Sequence, residues 1–377
     1  MPSLIKTVLP ALTVSALLIA AAPAAAAPSV EIEGKRLVIR GGPEADSVGL
    51  SVPAGEPNLV RIDLDGDGVP EFELPRRQFD SILVEGDAGD DSVRVDALRL
   101  EPVRIDGGDG YDAATLAGSD SSEDLRVSPA GTRARLTRDG DQVRLLANGL
   151  ERADLPAGGG RDDLDVRDMT GTELQEVHTD LGDGQGDRLS VDGSDEQEQI
   201  SASGFAQTLF VIGPFVFVQI ENPEPRDELV IDGAGNRDVV STSSTAMKMT
   251  LRGGAESDVV IGGPGDDVLE GGDDFDDVVG RGGDDTASLG GDFDRFTWNP
   301  GDGNDVVDGG ASRDSITFNG SSAAELGLVF AAALVGFGIL ERHRIEMHLV
   351  ALAAHSVKLG AHRFAWLRDL RAAGVVK

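Results

Sequence analysis

Between Val30 and about Ser244, apolar and polar residues alternate with a period of two, broken by short turns rich in Gly, Asp and Pro. The segments Leu37–Ile39, Leu59–Ile62, Ser81–Val84, Val103–Ile105, Val143–Leu146, Arg188–Val191 and Glu228–Ile231 all follow this rule. Such alternation sets one side of an extended segment against a core and leaves the other in water, so each reads as a strand. No segment here shows the three-to-four spacing of an amphipathic helix, and the expectation is an all-β chain. Phe205 to Ile220 is the most apolar internal run. Its Gly213-Pro214 pair divides it into two strands that the sequence suggests are buried on both faces.

From Gly253 to Gly320 the pattern tightens. Glycine pairs return every eight to eleven residues, each followed by aspartates and a short apolar pair. Gly262-Gly263-Pro264-Gly265-Asp266-Asp267-Val268-Leu269-Glu270 completes the nine-residue form G-G-x-G-x-D-x-U-x, a known calcium-binding repeat. The chemistry can be read from the residue types. Paired glycines let the backbone turn tightly at positive φ. The turn brings carbonyl oxygens inward, the aspartate at position six adds a carboxylate, and the apolar residue at position eight starts a strand facing a core. Stacked copies then form an all-oxygen cage, which suits hard calcium rather than zinc or copper.

The same turn recurs singly upstream, at Gly86, Gly107, Gly158, Gly182 and Asp232. Asp91 to Asp112, Asp163 to Asp187 and Asp238 to Asp258 are 21, 24 and 20 residues apart. These intervals fit one coil of a broad β-solenoid with its turns aligned down one edge; a sandwich with acidic hairpins would give a similar local pattern. A separate loop carries Asp63, Asp65 and Asp67 with Gly66 and Gly68, the first half of an EF-hand-like calcium loop. The glutamate expected at its twelfth position is Leu74, and no helices flank it. A polar hairpin turn, with Asp and Gly serving the backbone, explains the loop equally well.

Composition narrows the function classes. A net charge of −34 argues against a nucleic-acid partner, since phosphate binding needs clustered Lys and Arg. It also makes the compact state self-repelling unless cations are present. With 50 glycines and 4% aromatics, thin repeated layers suit the chain better than a large globular core. Residues 1–26 read as a secretory signal peptide: Lys6, the apolar run Val8 to Ala22, and small residues before a cleavage point after Ala26. An exported chain without cysteine does not rely on disulfides, and weak oxygen sites become useful in millimolar extracellular calcium. No nucleophile elbow, P-loop, dinucleotide fingerprint or cysteine metal box is present.

From Val143 to Glu325 the chain resembles exported bacterial proteins with haemolysin-type (repeats-in-toxin) repeats. The resemblance is carried by ELQEVHTDLGDGQGDRLSVDG, the cluster Gly253 to Gly291, and FTWNPGDGNDVVDGGASRDSITFNG. It implies a parallel β-roll or β-solenoid that binds calcium. Position-six aspartates carry over to Asp258, Asp267, Asp305 and Asp314. Copies that depart from nine residues place Asp277, Asp285 and Asp294 there with a slip, and Asp276 adjoins the first of these. Gly262, Gly263, Gly265 and Gly271 supply the turns. Nothing resembles the toxin or protease domains that often accompany such repeats.

The stretch GGDGYDAATLAGSDSSE from Gly107 aligns without a gap with GGASRDSITFNGSSAAE from Gly309, an internal duplication. After Glu325 the Gly/Asp pattern stops. Residues 323–377 carry 4 acidic and 7 basic side chains and four of the five histidines. Leu326 to Leu340 is too short for a membrane span; a helical cap on the solenoid and out-of-frame sequence are the two readings that remain. The expected organisation is a signal peptide (1–26), a solenoid-like region with isolated turns (27–250), the haemolysin-type repeats (251–322) and an atypical, short helical tail (323–377). The expected function is a secreted calcium-stabilised structural or adhesive module without catalysis, in contact with cell-surface or matrix glycans. A calcium-dependent, extracellular carbohydrate-active enzyme is the alternative.

Overall fold

The computed structural model describes residues 28–319, except 97–98, 141–142, 206, 214 and 245–246, together with Glu346–Leu349. Among these residues the chain is almost entirely strand, arranged in two sheets of 14 and 16 strands, here called A and B. All seven segments expected from the alternation lie within observed strands.

The logic of the fold is clearest from Lys248 to Phe318. Lys248–Gly254, Val268–Gly272, Thr286–Gly290 and Val306–Asp308 lie side by side in sheet A. The strands between them, Val259–Ile261, Asp277–Val279, Arg295–Trp298 and Ser315–Phe318, lie side by side in sheet B. All pair in parallel, and register advances by one coil: Leu251 beside Leu269 and then Ala287, Val260 beside Val278 and then Phe296. Each coil thus contributes one strand to each sheet and crosses between them twice, a β-roll. The inward columns Leu251, Leu269, Ala287, Val307 and Val240, Val260, Val278, Phe296, Ile316 are buried in one continuous core. Alternation explains this: in a three-residue strand such as Val259–Ile261, only the central side chain can face inward.

Upstream, the same two sheets continue without a break across residue 250 but with longer coils. Three antiparallel excursions are spliced in. Ser47–Ser51, Leu59–Asp63 and Phe72–Pro75 form one end of sheet B. Asp124–Ala130, Arg133–Arg138 and Val143–Asn148 form a meander in sheet A. Gln199–Phe205, Thr208–Ile212 and Phe217–Glu221 form another in sheet B.

This last meander corrects the expectation of strands buried on both faces. Leu209 and Val211 are buried but Ile212 is 49% exposed, and Phe210 stacks on Phe217 at 5.4 Å. The apolar run covers the outer face with its own aromatic pair. No helix among the described residues is long and apolar enough to cross a membrane. The expected signal peptide, 1–26, lies outside the described residues, as does most of the tail expected to be helical. Of the tail, only Glu346–Leu349 is described, as a strand in parallel register with Ser315–Phe318.

Candidate metal centre

Because consecutive strands alternate between sheets, the chain turns at two edges, and an acidic residue sits immediately before most of the strands that follow. At the edge leading into sheet B, the row runs Asp46, Asp91, Asp112, Glu151, and later Glu198, Asp238, Asp258, Asp276, Asp294, Asp314. At the edge leading into sheet A it runs Glu123, Asp162, Asp187, Asp227, and later Asp267, Asp285, Asp305.

Successive members are joined by one repeated hydrogen bond: the backbone N–H of each donates to the carboxylate of the residue one coil on. Asp238 N–H donates to Asp258 Oδ1 at 2.8 Å, Asp258 to Asp276 at 2.8 Å, Asp276 to Asp294 at 2.9 Å and Asp294 to Asp314 at 3.1 Å. On the other edge Asp267 donates to Asp285 at 2.9 Å and Asp285 to Asp305 at 3.2 Å. The upstream coils keep the pattern, with Asp46 to Asp91, Asp91 to Asp112 and Asp162 to Asp187 each at 2.8 Å.

The ladder engages one oxygen per carboxylate. The other, Oδ2, is sealed from solvent without a hydrogen-bond partner in Asp91, Asp112, Asp162, Asp187, Asp238, Asp258, Asp276, Asp285, Asp294 and Asp305. Asp238, Asp276 and Asp294 are 0% exposed. A buried carboxylate oxygen without a partner is costly, and dense stacking of like charge adds to the cost. Burial, and then the neighbouring acids, push Asp276, Asp285 and Asp294 up to about 7, and Asp238 and Asp258 to about 6.

A glycine five residues before the aspartate shows where Oδ2 points. A Cβ placed on Gly253 would lie 2.5 Å from Gly271 O and 2.6 Å from Asp258 Oδ2. On Gly271 it would meet Leu289 O and Asp276 Oδ2, and on Gly262 it would meet Gly280 O and, at 3.0 Å, Asp267 Oδ2. Glycine is therefore required because the place of its side chain is occupied by oxygens, one carboxylate and one carbonyl from the next coil. Two residues before the aspartate the backbone is left-handed even without glycine: Glu256, Asp274, Asp292 and Ser312 hold φ of 73°, 71°, 60° and 76°. A non-glycine residue holds that conformation only where its surroundings over-determine it.

The sequence-derived residues fall into four groups. Asp258, Asp276, Asp285, Asp294, Asp305 and Asp314 stand in the two rows. Asp267 also stands there, but its Oδ2 already accepts the Gly263 N–H at 2.6 Å, so the complete nine-residue repeat is the most self-satisfied turn of the run. Gly262 and Gly271 form the oxygen-filled turns, and Gly265 O touches the turn of Gly283 one coil on.

Asp277 is a correction: it is the first residue of its strand, faces outward and pairs with Arg295 Nε at 2.5 Å, while its neighbour Asp276 takes the ladder position. The slip at Asp163 is the same; Asp162 accepts the ladder hydrogen bond and Asp163 is exposed.

The hairpin loop differs in kind. Asp63, Asp65 and Glu71 bring ligand oxygens within 4.8 Å of one another, and Asp67 is not among them. Asp63 accepts from Gly66 and Gly68 N–H at 2.7 and 2.8 Å, and Glu71 accepts from Leu64 N–H at 2.7 Å. These carboxylates are satisfied by their own loop, as a polar turn requires. Sequence reasoning missed Glu71, although its place nine residues into the loop was a usable signal. It used Asp91, Asp112 and Asp187 only to set the coil length and did not name them, or Asp162, as ligands; the signal for Asp91 and Asp112 was a glycine five residues before each.

A third class of turn closes itself. Ser194 Oγ and N–H both donate to Glu198, and Ser119 does the same for Glu123. Here serine replaces the second turn residue and glutamate replaces aspartate, so the carboxylate is bound within the turn. No protein-family model matches the chain, and no curated protein matches its sequence.

Proposed function

We propose that the chain is a calcium-stabilised β-roll, an exported structural or adhesive module without catalysis of its own. One observation carries this reading: unpartnered, buried Asp Oδ2 atoms repeat coil after coil, and at Asp238, Asp258 and Asp276 the Oδ2 converges with a neighbouring coil's carbonyl oxygen on a site where only glycine fits. Asp238, Asp258, Asp276 and Asp294 on one edge, and Asp285 and Asp305 on the other, would hold the ions, with the carbonyls of Gly253, Gly271 and Leu289 at the first three. The donor set is all oxygen and rich in backbone carbonyl, which favours calcium over transition metals and over geometrically demanding magnesium. A bound cation supplies the positive charge that these carboxylates lack and ties adjacent coils together, so binding and folding are coupled.

Extracellular modules of this ligand type bind calcium with Kd on the order of 10⁻⁴ to 10⁻³ M. Thermal unfolding of the full chain in millimolar calcium, magnesium or chelator tests the reading. Calcium should raise the melting temperature and sharpen the transition. An unchanged transition, or an equal response to magnesium, refutes it.

A further inference from the structure

We infer that the N-terminal half carries a second cation-binding segment, set by Asp91 and Asp112, outside the glycine-rich repeats. It rests on the reading that hard divalent ions fill the aspartate rows. The geometry repeats that of the C-terminal run. Asp91 and Asp112 are 5% and 2% exposed. Oδ1 of Asp91 accepts the Asp46 N–H and Oδ1 of Asp112 accepts the Asp91 N–H, both at 2.8 Å, while both Oδ2 atoms are sealed without a partner.

The place of a Gly86 side chain is filled by Asp91 Oδ2 and Gly107 O, and that of Gly107 by Asp112 Oδ2 and Gly149 O. Two carboxylate oxygens and two carbonyl oxygens therefore stack along one edge over successive coils. The charged neighbours that act most strongly on them are acids, Asp46, Asp90 and Glu151. Among the described residues no Lys or Arg stands with the groups that act on these two carboxylates, and an oxygen-liganded divalent ion would supply the missing charge.

The segment is also bounded. On one side Asp46 Oδ2 is taken by the Gly42 N–H at 2.5 Å, and on the other Glu151 accepts the Asp112 N–H at 2.8 Å. Between Glu151 and Asp238 the row is filled by Gln175, Val216 and the self-closed Glu198. The pair Asp91–Asp112 should accordingly fill independently of Asp238–Asp314.

The chain's single tyrosine, Tyr111, immediately precedes Asp112 and offers a local probe. Terbium, an oxygen-seeking stand-in for calcium, emits when excited through a nearby tyrosine. On the full-length chain, Tyr111→Phe should remove the tyrosine-sensitised emission while calcium stoichiometry by equilibrium dialysis stays at the wild-type value. Asp91→Asn/Asp112→Asn should lower the stoichiometry and leave the calcium-dependent exchange protection of 253–318 unchanged.

If the wild-type chain binds calcium but the double variant keeps its stoichiometry, this inference alone is overturned. If the wild-type chain binds no calcium, the reading of the C-terminal run falls and takes this one with it.

Discussion

The coils from Lys248 to Phe318 and those from Arg36 to Asp154 share one ladder but are held together differently. In the C-terminal run, Val259–Ile261, Asp277–Val279 and Val306–Asp308 each bury a single side chain. Successive coils are 18 residues apart where Leu251 pairs with Leu269 and Leu269 with Ala287.

In the N-terminal run, Arg36–Arg40 buries Leu37, Val38 and Ile39, and Ser81–Ala88 buries Ile82 and Val84. Antiparallel strands from the spliced hairpins add Val60, Ile62, Leu125, Val127 and Leu136 to the core. Burial of one Val or Leu contributes about 1.5–3 kcal/mol, so the sparse coils leave more of their stability to whatever satisfies the turns. The N-terminal coils show how the same architecture stands with fewer unpartnered carboxylates. It takes more apolar side chains per coil, as well as the turn of Glu123, which closes on its own serine.

The sharpest way to break this comparison is to remove calcium. In chelator, residues 253–318 should lose amide exchange protection first, while 36–154 keeps most of it, as expected for units of different local stability. Uniform loss along the chain would show that the ladder does not divide the molecule.

The effect should also depend on pH. Asp276, Asp285 and Asp294 sit near 7 in the folded chain against roughly 3.9 when unfolded. Raised carboxylates favour the protonated folded state, so stability without metal is greatest at low pH and declines as pH rises through about 7. Calcium competes with those protons, and its stabilising increment should therefore be small near pH 5 and full above pH 7. Melting curves across that range check it, and an increment independent of pH would argue that the ions bind elsewhere.

A smaller effect separates adjacent residues. Asp276→Asn should shift the calcium midpoint of folding upward about tenfold, or ~1.4 kcal/mol. Asp277→Asn breaks only a partly exposed pair with Arg295 and should cost about 0–1 kcal/mol with the calcium midpoint unmoved. Equal midpoints for the two variants would remove Asp276 from the site.

That pair also shows how far the sequence could be read. Period-two alternation located the strands because each needs one buried face, and the 20- and 21-residue aspartate intervals gave the coil length. A doublet such as Asp276-Asp277 or Asp162-Asp163 is ambiguous by one residue. In a strand, one residue is the difference between inside and outside, and only the pairing of Val278 with Val260 and Phe296 decides which carboxylate turns in. Repeat spelling was an imperfect guide. Asp267, in the perfect nine-residue copy, is bound by its own turn, whereas Asp91 and Asp112, in imperfect ones, present unpartnered oxygens. Of the three antiparallel excursions, the turns at Asp63–Gly68 and Gly213-Pro214 were marked but not their place in the sheets, because a hairpin strand and a coil strand alternate alike.

The smallest expected effect tests the self-closed turns. Ser194 is 7% exposed and its N–H lies 3.1 and 3.2 Å from the two oxygens of Glu198, whose own N–H donates to Asp238 at 2.7 Å. Removing the hydroxyl with Ser194→Ala leaves that buried carboxylate one donor short, at a cost of about 1 kcal/mol. Since serine does here what a cation is proposed to do at Asp238 and Asp258, the loss should be the same in calcium and in chelator. For a domain of this size it should appear as a drop of roughly 2–4 °C in melting temperature under both conditions. A loss that calcium restores would mean Glu198 takes an ion as its aspartate neighbours do, and the division between ion-dependent and serine-closed turns would not hold.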